Sequence, residues 1–418
     1  MDDAVPRLAP RHPDLESRSL IAWPGYRSGL SVEQLDRRVI GAIAKPLFHA
    51  SQDPKLVKAA LARGMGVVLP GQAWRNQLAL DHPGRTGAFA RFGHHRPGLR
   101  LAPDERRFGG SFAEAYAADH LSAELSAGAT IATTPGHVLG RECSLGREND
   151  LLLARLAAQE FITRRAFAPA PGRSATAQRE LYATIILQGH HAKCPEIVEE
   201  LVTAYANLEH ISGYWIVAAN CNHSGVQLAG YARLALGLEQ LAARPAVVSG
   251  VGAEHLALLA SGVAATCAGL HGMSFAFPPA IFPESEEGED EEGLGIYVYH
   301  RAVLGFVGRL GAQGEPARRA IFANRPCLCG HHPSDQPPKG RRATVAHNSW
   351  AVSADALEFA APNVLAAEER LSVRSQEARR QRKFLQLSAL RPGFASVPRA
   401  ARELRELRAS EAGGSQEN

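Results

Sequence analysis

Short, almost unbroken apolar runs alternate with segments of helical periodicity from Ala42 to Leu270, and few folds accept that pattern. The runs lie at 42–49, 65–69, 129–134, 181–188, 213–219, 246–249 and 264–270. Between them, apolar residues recur at helical spacing over 54–63, 111–126, 149–163, 195–206, 225–241 and 253–261, the 195–206 segment opening with a proline in its first turn. A strand covered on both faces by crossover helices has no polar side, so it reads as continuous Val, Ile, Leu and Ala. The alternation therefore predicts a parallel sheet of βα units. No internal sequence repeat points to a solenoid.

Polar and glycine residues gather just after each apolar run. His49 and Ser51 follow the first, and Pro70-Gly71-Gln72 the second. Thr134-Pro135-Gly136-His137, Gln188-Gly189-His190-His191, Asn220-Cys221-Asn222-His223, Gly250-Val251-Gly252 and His271-Gly272 follow later ones. In a closed (β/α)8 barrel the loops after the strands converge on one face and build the site there. Caps and turns also favour these residue types, so no single position decides the matter. The repetition favours an α/β fold of (β/α)8 TIM-barrel type over an open doubly wound sheet. The expected organisation is a barrel over 1–310, a zinc-binding subdomain inserted near the C-terminus at 311–365, and a basic helical tail at 366–418.

The zinc expectation rests on Cys327-Leu-Cys329-Gly-His331-His332 and the later His347-Asn348. Thiolate and imidazole are the donors of four-coordinate structural zinc, and a tight ligand pair with a distant partner closes a short loop. Cys327, Cys329, His332 and His347 are read as ligands, with His331 in reserve; the alternative is two buried cysteines beside a solvated histidine pair. Six cysteines in 418 residues argue against a disulfide framework and for a reducing compartment. No apolar run reaches the roughly 20 residues that span a bilayer, and the start of the chain lacks an export signal, so a cytoplasmic location is expected.

Charge is uneven along the chain. Residues 370–408 hold ten Arg and one Lys against three Glu, which leaves the rest of the chain net acidic. Such a stretch suits either a phosphate-binding arm or a solvated helix face. Residues 284–292 hold seven acids in nine positions and are expected to be a disordered, solvating loop.

The run Leu181–Gly189 with Ile211–Val217, then Gly250-Val251-Gly252 with its helix and the strand after it, then the Cys-x-Cys cluster with a later His-Asn, resembles the tRNA-guanine transglycosylase-like superfamily in the same order over residues 110–350. That resemblance implies a (β/α)8 barrel with an inserted zinc subdomain, exchanging guanine in tRNA or DNA for a 7-deazaguanine through a covalent glycosyl-enzyme intermediate. It implies base contact by Gln188 and Gly189, a nucleic-acid partner, and a homodimer or a heterodimer with a catalytic subunit. The chain departs from the pattern at its acids. The family's nucleophilic, second and base-reading aspartates fall near Ala264–Cys267, Leu69–Gly71 and Thr133–Thr134, where no carboxylate stands. His332 also takes the place of a third cysteine.

Cleaving a glycosidic bond passes through an oxocarbenium-like state that a carboxylate stabilises or traps. Asp119, beside His120, and Cys267 are the candidates for that role. Asp119 equally suits a solvated helix face, and Cys267 equally suits inert packing. Gln188 and Asn220 offer paired donor and acceptor groups to a base edge, and Gly189, Gly250 and Gly252 let a flat ring approach the backbone. His137 completes the substrate-binding set. Three functions remain in view: a base-exchange enzyme with a relocated carboxylate, a non-catalytic binding or partner subunit, and a metal-dependent barrel hydrolase using the rim histidines.

Overall fold

The computed structural model describes residues 19–23, 32–36, 39–50, 54–71, 73, 106–138, 144–167, 179–219, 225–250, 255–269, 297–309, 315–360 and 364–384. Eight parallel strands close into a barrel in sequence order. They are β1 (Ser19–Trp23), β2 (Ile40–Ala44), β3 (Gly66–Val68), β4 (Ile131–Thr133), β5 (Glu180–Gln188), β6 (Gly213–Ala219), β7 (Ala246–Ser249) and β8 (Ala265–Gly269). Closure comes from β8 lying beside β1, with Ser19 opposite Ala265 and Trp23 opposite Gly269. The expected barrel is thus observed, and an open sheet is excluded.

Strand parity sorts the apolar residues into two cores. Ile21, Val68, Ile131, Tyr182, Trp215 and Val247 point inward and pack together inside the barrel. Their chain neighbours point outward and join the larger core beneath the helices. The helices are α1 (Pro54–Ala62), α2 (Gly110–Ser126), α3 (Ser144–Phe167), α4 (Pro195–Ala206), α5 (Gly225–Ala242) and α6 (His255–Ala260). Helix α4 and strands β6 and β7 have the limits read from the sequence. In α4 the proline occupies a position whose N–H would have no intrahelical acceptor. Strand β1 has no counterpart among the elements expected from the sequence.

An antiparallel hairpin, β9 (Tyr297–His300) and β10 (Gly305–Arg309), precedes α7 (Glu315–Asn324), and α8 (Gly340–Phe359) packs on β9. Asn348 of α8 joins the two: its side chain accepts from Tyr299 N–H at 2.8 Å and donates to Tyr297 carbonyl at 2.8 Å. Helix α9 (Val364–Phe384) lies against α6 and the turn at Arg301–Val303.

As far as Phe384, the segment expected as a basic helical tail is a helix packed on the rest of the chain. Arg374 and Arg382 donate to the carbonyls of Arg301 and Val303 at 3.2 and 2.9 Å, so they hold α9 to the subdomain. Asp355, fully buried, accepts from Tyr299 Oη at 2.9 Å and Arg301 Nε at 2.6 Å. Burial raises its carboxyl to about 6 against the pull of both Arg301 and Arg374. The acidic loop and the arginines beyond 384 lie outside the described residues.

Candidate functional site

The barrel carries a small, partly open cleft at the C-terminal ends of its strands. Trp23 at the end of β1 and Trp215 of β6 give it aromatic faces, with Ile186 and Val217 adding apolar surface. Its polar groups are Thr133 of β4, Thr134 just after it, Thr184 of β5, Ser249 of β7 and His120 of α2. His120 is the one titratable side chain lining the cleft among the described residues. Gly136 packs tightly on β5, since a Cβ there would lie 2.5 Å from Thr184 Cγ2. Thr184 is itself fixed: its hydroxyl donates to Thr134 carbonyl at 2.6 Å, and its N–H donates to Thr134 Oγ1 at 2.9 Å.

A buried carboxylate stands behind this wall. Glu124, one turn after His120 on α2, accepts from Gly71 N–H at 2.6 Å, Thr133 Oγ1 at 2.6 Å and Thr133 N–H at 2.5 Å. His120 Nε2 lies 3.1 Å from the same carboxylate. Gly71 lies close against the imidazole; a Cβ there would come within 2.5 Å of its Cε1. Glu124 thus brings a carboxylate from the surrounding helix layer to the end of β4, where the strand itself carries none.

His137 lies near the cleft but not in it. Its Nδ1 is 2.6 Å from Asp150 Oδ1, its N–H donates to Asp150 Oδ2 at 3.0 Å, and Tyr116 Oη lies 3.0 Å from its Nε2. Both ring nitrogens are therefore engaged, and the ring is fully buried. This corrects its reading as a substrate contact: it ties α2, the loop after β4 and α3 together.

The other predicted residues fall in different places. Gln188 ends β5 on the same inward row as Thr184 and Ile186 but is buried past the cleft lining, and Gly189 is a turn whose N–H donates to Ala219 carbonyl at 2.8 Å. Gly250 has φ +82°, and a Cβ would meet Ala218 carbonyl at 2.8 Å, so a tight turn against β6 explains it without a ligand. Asn220 and Gly252 lie outside the described residues. Asp119 is half-buried on α2 and does not line the cleft. Cys267 points into the closed apolar core, where burial pushes its thiol far above the ordinary range. No protein-family model matches the chain, and no curated protein matches it.

Cys327, Cys329, His332 and His347 converge as expected. One donor atom from each lies within 4.8 Å of all the others, and together they can hold a metal ion. Each imidazole engages a backbone carbonyl with one nitrogen and turns the other to the cluster. His347 Nε2 lies 2.6 Å from Tyr299 carbonyl, and His332 Nδ1 lies 2.8 Å from Pro333 carbonyl. Such carbonyl partners fix the tautomer a metal needs. The sulfurs accept backbone N–H groups, Cys329 to Cys327 Sγ and His331 to Cys329 Sγ, each at 3.3 Å. His331 offers only its backbone, which leaves His332 as the ligand.

A hydrogen bond from Cys327 holds the Cys329 thiol far below the usual range, and the same bond pushes Cys327 up. Among the described residues this is the one group of three or more potential ligands that converges. The rings of His190 and His191 lie 4.0 Å apart between centres, tilted at 53°, and belong to no such group. His223 and His271 lie outside the described residues.

Proposed function

We propose that this chain is a divergent tRNA-guanine transglycosylase-like protein that binds a guanine-type base of tRNA or DNA in the rim cleft. We assign its role to recognition, as a binding or partner subunit of a base-exchanging enzyme. The carrying observation is the character of the cleft: two tryptophan faces, threonine and serine hydroxyls and one imidazole, with no carboxylate among its described lining. Flat apolar faces with a few fixed polar groups suit a planar heterocycle. Glycosyl exchange would further need a carboxylate at the sugar carbon. Glu124 is the nearest acid to the cleft wall, and its three hydrogen bonds and full burial keep it from reaching a sugar.

The metal in this reading is one structural zinc. Zinc–sulfur and zinc–nitrogen bonds of about 2.3 and 2.05 Å set tetrahedral sulfur–nitrogen edges near 3.6 Å and a nitrogen–nitrogen edge near 3.3 Å. His347 Nδ1 lies 3.5 Å from each sulfur and 3.0 Å from His332 Nε2. Four protein ligands leave no open position, so zinc would hold the subdomain together and take no part in chemistry.

Incubation with labelled guanine and bulk tRNA or DNA tests the role. The expected result is binding of the free base without incorporation into either polymer by the chain alone. Incorporation would overturn the partner-subunit role in favour of a catalytic one with a relocated carboxylate.

A further inference from the structure

We propose that metal binding and the docking of helix α9 are coupled, and that Tyr299 of β9 is the positioning residue that joins them. The inference rests on the reading of Cys327, Cys329, His332 and His347 as a zinc site.

One face of α8 grips Tyr299 at three points. Asn348 Oδ1 accepts its N–H at 2.8 Å, and His347 Nε2 donates to its carbonyl at 2.6 Å. Asp355, two turns after Asn348, accepts from its Oη at 2.9 Å. Across the hairpin stands Phe306, whose ring meets the tyrosine ring edge-on at 5.2 Å between centres. A carbonyl can only accept, so its bond to His347 keeps the proton on Nε2 and leaves the Nδ1 lone pair for the two sulfurs' side, 3.5 Å from each. The position of Tyr299 therefore sets both the tautomer and the aim of one ligand.

The other end of the same residue enters the network that docks α9. Asp355 also accepts from Arg301 Nε at 2.6 Å, and Glu358, three residues on, takes Arg301 at 2.8 Å and Arg374 Nε of α9 at 3.2 Å. Arg374 closes the circuit by donating to Arg301 carbonyl at 3.2 Å. Packing on Phe306 needs no hydroxyl at residue 299, and a buried hydroxyl is costly unless it is bonded. What the Tyr299 hydroxyl adds is a rigid link from the carboxylate that gathers the arginines to the carbonyl that orients His347. A chain with α9 docked and Tyr299 held thus binds the ion more tightly than one with both released, and by linkage the ion favours docking by the same factor.

The test is zinc affinity of the whole chain, by competition with a chromogenic chelator, for wild type, Tyr299→Phe, Arg374→Met and the double variant, each shown by circular dichroism to be folded. Hydrogen exchange of residues 364–384 in wild type, with and without zinc, is the second arm and needs no variant. Tyr299→Phe removes only the hydroxyl and keeps the ring and the carbonyl; Arg374→Met keeps an apolar stem and lies on a different helix from every ligand. Each single variant should bind zinc roughly fivefold or more weakly, the range of coupled sites and of groups that orient metal ligands. The double variant should lose less than the product of the two, because both act through one link. Exchange over 364–384 should quicken when zinc is removed. Wild-type zinc affinity in Arg374→Met, losses that simply multiply, or exchange indifferent to zinc would each overturn the coupling while leaving the zinc site intact. A wild type that binds no zinc would overturn the zinc reading and this inference with it.

Discussion

Replacing Glu124 by leucine should destabilise the barrel by about 3–5 kcal/mol. The carboxylate accepts from Gly71 N–H, Thr133 N–H and Thr133 Oγ1, all within 2.6 Å, at a site with no exposure to water. Leucine fills similar volume but accepts nothing, so three buried donors lose their partner at roughly 1–3 kcal/mol each. The threonine hydroxyl can rotate to another acceptor, and removal of a buried charge returns part of the loss; together these bring the sum to the stated range. Urea denaturation followed by far-ultraviolet circular dichroism reads the change. Glu114→Ala, on the exposed side of the same helix, is the control and should stay within about 0.5 kcal/mol of wild type. A loss under about 1 kcal/mol for Glu124→Leu would show that the strand ends do not depend on this carboxylate.

Cys327→Ser should abolish stoichiometric zinc, read as one ion per wild-type chain by elemental analysis, and expose 297–360 to proteolysis while the barrel persists; full zinc retention would refute the ligand set. Glu180, at the start of β5, is raised to about 7 chiefly by burial, above its ordinary 4.5. The folded state therefore holds a proton between about pH 4.5 and 7 that the unfolded state has released, so this group's contribution to stability falls as pH rises through that window. Glu180→Gln should remove that slope, seen as a smaller fall in urea midpoint from pH 5 to pH 7 than in wild type; parallel midpoints in the two proteins would contradict it.

The barrel was legible because its strands are buried on both faces. Runs such as Ala183–Leu187 and Tyr214–Ala218 are buried almost throughout and nearly free of polar residues, and the helices between them keep their own period. Strand β1 was not, since Ser19–Trp23 is five residues long and no helical run precedes it to frame the pattern. The metal cluster could be read because three of its four ligands fall within six residues of sequence.

The cleft was only half legible. Thr133, Thr184 and Ser249 were visible as polar residues in apolar strands, but which of them face inward depends on register, which composition does not reveal. Acids sought at strand ends do not include Glu124, because its carboxylate reaches the end of β4 from a helix and meets Gly71 across 53 residues of chain. Charge alone favours Asp119 over its neighbour. The helix turns His120, one position on, into the wall instead.

The most direct test of the base-binding cleft is a comparison of guanine binding by wild type and by Gly136→Val. The valine side chain would press on Thr184 and Ile186 and displace two residues of the cleft lining. Saturable binding by wild type and none by a folded Gly136→Val is the predicted result. Equal binding by the two, or none by wild type, would contradict the account.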